Sequence, residues 1–252
     1  MENKIKERLT EYLTFDYTKI INEDIDKCYI FGGAIRDSIA NQKINDIDIL
    51  CLPNSMRKIE SVLESNGYTH STSIGMLHIS QMYKEVHCIF EPHNWIKIVD
   101  GEVRIVQLLR PAFGGGNLDT SAISGHSRGR SREKIKAEFE TLDYALHYLL
   151  GQVDISCCGV HFSHSYGLRE SVKGAISDCL TKNFRILKDT EMYNPTRIVE
   201  RRMKLQGREW KMSEKSYERQ FKLERLVGEK NYFLKPNVPN VPTLSDQDFF
   251  AF

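Results

Sequence analysis

The stretch YIFGGAIRDSIANQKINDIDILCLP occupies residues 29–53. A short apolar run leads into two glycines, a helix-patterned segment follows, and two aspartates then alternate with isoleucines. In an extended strand, residues two apart project from the same face. Asp46 and Asp48 therefore point together, while Ile47 and Ile49 point to the other side. Two carboxylates held side by side repel unless a cation lies between them. Oxygen donors of this kind suit Mg²⁺, which is held by one or two carboxylates together with substrate phosphates. Gly32 and Gly33 let the backbone come close to a ligand. A helix starting near Ala34 would aim free N–H groups at that ligand, which favours phosphate. The stretch is thus equipped for phosphoryl transfer, with a triphosphate on one side and metal ions on the other. It is not a P-loop, because no Gly-Lys-Ser/Thr follows.

The ordered combination carries more than its parts. GGAIRDSIANQKINDIDIL (32–50) resembles the head-domain signature of the DNA polymerase beta nucleotidyltransferase superfamily. The branch it most resembles holds bacterial poly(A) polymerases and CCA-adding tRNA nucleotidyltransferases. That branch reads Gly-Gly-x-Val-Arg-Asp, a short helix, then Asp-x-Asp; here Ile35 stands for the valine. The resemblance implies Gly32 and Gly33 at the triphosphate and Asp46 and Asp48 as metal ligands. Arg36 and Asp37 would fix the loop and the nucleotide. It also implies a third carboxylate. Asp154, in GQVDISCC (151–158), is the first choice, with Glu85 and Glu91 as rivals beside the apolar run VHCIF. NPTRIVERRMKLQG (194–207) resembles the neck helix after the head, and would aim Arg197 and Arg201 at nucleotide phosphate or RNA. The Glu-Asp-x-x-Arg motif that selects CTP and ATP in CCA-adding enzymes is not recognisable.

Outward from this stretch, the periodicity predicts a helix over 4–13, a strand over 27–31, a short helix over 34–41 and a strand over 45–51. A helix is expected over 55–65, with Gly67 at its exit. WIKIVDGEVRIVQLL (95–109) predicts a hairpin, because Asp100-Gly101 suits a type I′ turn. Residues 111–131 break all periodicity and read as a long loop whose Arg128 and Arg130 would meet acceptor phosphate. A helix over 132–150, a strand over 151–160, and helices over 168–180, 195–206 and 208–227 complete the reading. The tail is proline-punctuated and extended. Its Phe249, Phe250 and Phe252 are expected to dock on the same chain, on a second copy or on another protein.

The fold expected is therefore α+β. A nucleotidyltransferase head, a mixed sheet with flanking helices, spans 1–165; a small helical part spans 166–230; an extended tail spans 231–252. At 40% hydrophobic and 27% charged residues, the composition is that of an ordinary globular protein. Net charge is +1, so a nucleic-acid partner must rest on local charge. Residues 197–225 supply it, with ten Lys and Arg against five Glu. The charged N-terminus lacks the apolar core of a signal peptide, and no apolar run reaches membrane length; the expected location is cytoplasmic, with no membrane partner. Cys157-Cys158 lacks the C-x(2–4)-C spacing of zinc sites.

The activity implied is metal-dependent transfer of NMP from an NTP to an acceptor hydroxyl, releasing pyrophosphate. Two Mg²⁺ ions are expected, with Mn²⁺ able to substitute. An RNA 3′ end, tRNA in particular, leads as acceptor. A protein or small-molecule hydroxyl is the alternative, and a non-catalytic nucleotide- or RNA-binding protein of the same fold is the reading of another class.

Overall fold

The alternation at Asp-Ile-Asp-Ile forms the centre of a sheet. The computed structural model describes residues 1–25, 28–71, 90–111, 150–151, 153–189 and 195–233. In order, these give α1 (Glu2–Leu13), β1 (Cys28–Phe31), α2 (Gly33–Ile39), β2 (Asp46–Cys51), α3 (Pro53–Ser65), β3 (Thr69–Ser71), β4 (Phe90–Val99) and β5 (Glu102–Pro111). After the undescribed stretch come β6 (Val160–Ser163), β7 (Gly167–Glu170), α4 (Ala175–Leu180), β8 (Asn183–Phe184), α5 (Pro195–Gly207), β9 (Lys211–Met212) and α6 (Tyr217–Phe233). The loop expected over 111–131 begins on Pro111, which instead ends β5; the rest of it, nearly all of the helix over 132–150, Glu85, the Glu91 side chain and the tail beyond 233 lie outside the described residues.

The main sheet has seven strands in the order β3-β4-β5-β2-β1-β6-β7. Its neighbours are antiparallel except β2 and β5, which run parallel with Asp46 opposite Ile105 and Asp48 opposite Gln107. The mixed α+β sheet with flanking helices is thus present. One face of β2 is core: Ile47 and Ile49 are fully buried and join Ile5, Leu9, Ile35, Ile59 and Leu63 in one apolar cluster. These residues come from the inward stripes of α1, α2 and α3, as amphipathic helices require. The β4–β5 hairpin turns as its sequence demands, with φ of 52° at Asp100 and 79° at Gly101.

Three segments differ from expectation. Residues 151–160 do not form a strand. Ile155 makes a single bridge to Ile186, and Ser156–Cys158 close a 3₁₀ turn. The Ser156 hydroxyl bonds Asp178 and accepts from the Arg185 N–H, so side-chain bonding displaces the ladder. Residues 168–180 are not one helix. Gly167–Glu170 pair with β6, Gly174 turns at φ 82°, and the Glu170 carboxylate caps α4 by accepting from the Gly174 and Ile176 N–H groups. Residues 208–227 are interrupted as well: β9 pairs with β8, and the helix begins only at Tyr217. The β6–β7 hairpin spans residue 165, so the sheet runs on to Glu170. Among the described residues, no helix is long and apolar enough to cross a membrane.

Candidate active site

The site starts where β1 ends. Phe31 lies opposite Asp48, and Gly32 turns the chain at φ 69°, ψ −127°, a conformation that suits glycine. The Gly32 N–H donates to the Val160 carbonyl at 3.0 Å, tying the turn to β6. A side chain at Gly33 would lie 3.6 Å from Arg36 Nη2 and 3.8 Å from Asp46 Oδ1. Gly33 therefore leaves open the space between a guanidinium and a carboxylate.

Arg36 and Asp37 are both buried. Arg36 donates through Nε and Nη2 to the two oxygens of Asp37, at 2.7 and 3.0 Å, and through Nη1 to Cys158 Sγ at 3.2 Å. Burial works against the Arg36 charge, but Asp37 beside it prevails and holds the guanidinium protonated. Three of its five N–H donors are engaged in these contacts. Arg208, just past α5, donates to Asp37 Oδ2 at 3.0 Å. Trp210 stacks on Arg36 at 5.8 Å and donates its indole N–H to Gln42 at 2.6 Å.

Asp46 and Asp48 share the open face of β2, each half-buried. Burial pushes the Asp46 carboxyl up, while Lys204, Arg36 and Arg201 pull it back. Burial and then the Asp46 charge push Asp48 up further. Asp48 Oδ1 is buried without a hydrogen-bond partner. An orphaned carboxylate oxygen beside a second carboxylate is a donor set that fits a hard cation. Among the described residues, no group of three or more His, Cys, Asp or Glu side chains is placed to hold a metal ion.

Asp154 is buried and its Oδ1 accepts from Arg201 Nη1 at 2.5 Å. Arg197 pairs with Glu200 on its own helix at 3.7 Å. The structure thus brings Gly33, Arg36, Asp37, Asp46 and Asp48 together, and α5 lays Arg201 against Asp154. Sequence reasoning missed Arg208, Trp210 and Cys158. It also missed the buried amide pair Gln107–Asn94, bonded at 2.8 Å on the strands next to Asp48. A partial signal was available: Arg201 and Lys204 are three residues apart on one face of α5, and Arg208 follows four residues later in the turn that ends it.

The fold recurs in solved CCA-adding enzymes. The Thermotoga maritima CCA-adding enzyme complexed with tRNA-CCA matches 92% of this chain and 46% of its own, with a TM-score of 0.51 and 16% identity. A CCA-adding enzyme complexed with ATP matches 92% of this chain and 47% of its own, at TM-score 0.53 and 16% identity. One complexed with CTP matches the same shares, at TM-score 0.52 and 15% identity. The chain spans a little under half the length of these structures, and the likeness is one of fold. No family model and no curated protein matches the chain.

Proposed function

We propose that the chain is a metal-dependent nucleotidyltransferase that moves NMP from an NTP to an acceptor hydroxyl and releases pyrophosphate. The observation that carries this reading is the Asp46–Asp48 pair. Two carboxylates face one way on a central strand, with the Asp48 oxygen unpartnered, beside a glycine turn and a fixed arginine. Asp46 and Asp48 would hold Mg²⁺, two ions in the full reading, with Mn²⁺ as substitute. Asp154 is ion-paired to Arg201 and is not grouped with Asp46 and Asp48 among the described residues, so it would serve as the third carboxylate only once that pair opens; Glu85 and Glu91 are its rivals. When bound, the metal would supply charge stabilisation to the attacking and leaving oxygens.

The chain's own residues do the rest. Gly32 and Gly33 admit the triphosphate against the backbone. Arg36, held by Asp37 and stacked on Trp210, is oriented to offer its remaining N–H donors to a phosphate or ribose oxygen. Arg201 fixes Asp154, and Arg197 and Arg201 extend the cationic wall along α5. The solved structures that share the fold are complexed with tRNA, ATP and CTP. An RNA 3′ end, tRNA foremost, is therefore the proposed acceptor.

The test is incubation with each labelled NTP, Mg²⁺ and either total RNA or protein extract. Label is expected on RNA, and Asp46→Asn and Asp48→Asn should lower transfer by about 10³-fold or more, within the range set by loss of metal-assisted charge stabilisation, with unchanged circular dichroism. Undiminished transfer in both variants would refute the metal assignment. Label on protein would move the acceptor to the alternative class.

A further inference from the structure

The vicinal pair Cys157-Cys158 has no part in the reaction proposed above. It closes the 3₁₀ turn between Asp154 and β6. Cys157 and Cys179 are buried, whereas Cys158 is half-buried. Its sulfur sits 3.2 Å from Arg36 Nη1. Arg201 faces it from α5, Asp154 from the start of the turn, Asp48 from β2 and Cys179 from α4. We propose that Cys158 is a redox-modification site, a thiolate held by Arg36 at the edge of the nucleotide site and oxidised there by hydroperoxides.

The charges around it agree. A hydrogen bond with the Cys157 thiol lowers Cys158 most, and Arg36 and Arg201 lower it further against burial and Asp154, bringing it to about 6. Low-pKa, accessible thiolates are the ones that oxidise. In the reaction, the Cys158 thiolate attacks one peroxide oxygen. The O–O bond breaks, an S–O bond forms, and the departing hydroxide or alkoxide takes up a proton. Sulfur is oxidised by two electrons to the sulfenic acid, and the peroxide is reduced to water or an alcohol. A small thiol then condenses with the sulfenic acid, releasing water and leaving a mixed disulfide. A second thiol restores Cys158 and departs as the disulfide of the two small thiols. Cys157 is a poor resolving partner. Neighbouring Cα atoms stand about 3.8 Å apart, short of the roughly 4.4–6.8 Å common in disulfides.

The thiol chemistry stands apart from the nucleotidyl-transfer reading; only its link to nucleotide rests on it. The full-length reduced chain would be treated with hydrogen peroxide in the presence of dimedone, and the adduct placed by peptide fragmentation. In parallel, the alkylation rate of Cys158 by iodoacetamide would be followed from pH 4.5 to 9.5. The expected result is a dimedone adduct on Cys158 and a rate half-maximal near pH 6. At pH 6 the larger thiolate fraction outweighs the lower nucleophilicity, by roughly tenfold over an ordinary thiol. No adduct at Cys158, or a half-maximum at about pH 8.5 as in a free cysteine, overturns the proposal. Arg36→Gln should move the half-maximum up by about one unit; an unmoved value in a folded variant removes Arg36 from the argument. Each NTP would then be added with Mg²⁺ to the wild type. Slower alkylation places the nucleotide over Cys158. Unchanged fast alkylation keeps the thiol site and counts against the nucleotide position.

Discussion

The two faces of β2 live in different solvents. Ile47 and Ile49 are buried in a continuous apolar cluster to which α1, α2 and α3 contribute Ile5, Leu9, Ile35, Ile59 and Leu63, and later elements contribute Val106, Phe162 and Leu205. Asp46 and Asp48, one residue away along the same strand, look toward Arg36 on α2 and toward Arg201 and Lys204 on α5. The two-residue period keeps these surfaces apart. Apolar contacts ask only for volume and proximity, whereas a buried carboxylate asks for a cation of its own. One strand thus draws its core side from apolar residues along the whole chain, while its polar side draws cations from the neighbouring α2 and from the distant α5.

Damage to each face separates them. Ile49→Ala cuts into the core face and should cost about 2–5 kcal/mol, read by urea denaturation, with catalytic loss only as far as the fold is lost. A loss below 1 kcal/mol would mean that this face is less tightly packed than its full burial indicates. On the polar face, Arg201→Gln leaves Asp154 without its ion pair, whose side chains are 19% and 8% exposed. Breaking such a pair should cost about 3 kcal/mol, and adding Asp154→Asn should recover most of it. Purely additive single and double variants would show that the pair carries no coupling.

The smallest effect has the opposite sign. Burial and the Asp46 charge hold the Asp48 carboxyl well above the ordinary carboxylate range. Between the unfolded value and that raised one, the folded chain binds more protons than the unfolded chain. Stability without divalent metal therefore falls as pH rises through this window. Asp48→Asn removes the loss. At pH 8 in chelator the variant should melt about 2–4 °C above wild type for each kcal/mol relieved, and the gap should close toward pH 4. Mg²⁺ should raise the wild-type melting temperature and leave the variant unchanged. A variant that melts lower at pH 8 would mean that Asp48 has a stabilising partner within the protein.

How much of this was readable beforehand follows the same division. Residues 29–53 and the hairpin at 95–109 announce themselves because their signals are local: a Gly-Gly turn, a strict alternation, and Asp100-Gly101 with both residues at positive φ. Residues 151–160 and 168–180 were misread because their structure is set from outside. GLRE is a strand because β6 lies beside it, and Ser156 turns because Asp178 and Arg185 engage it. Arg208 and Trp210 could not be assigned to the site by pattern alone. Their partners Asp37 and Gln42 lie 171 and 168 residues earlier. The helical spacing of Arg201 and Lys204 gave a face, but not what it would face.

That separation also acts in time. A ribosome adds about 5–20 residues per second, so Asp37 is synthesised roughly 10–30 s before Arg208 exists to meet it. In that interval the β4–β5 hairpin and the Ile47–Ile49 core can assemble from neighbours already made. The carboxylates of β2 and α2 cannot gain the cations of α5, because α5 has not been translated. Until then the carboxylates of β2 and α2 have Arg36 as their neighbouring cation but not Arg201 or Lys204. Translation order makes α5, with Arg201 and Lys204, and the turn bearing Arg208 the last components of the site to arrive, and a chain stalled before residue 195 would lack the cations that face Asp46 and Asp48 from α5.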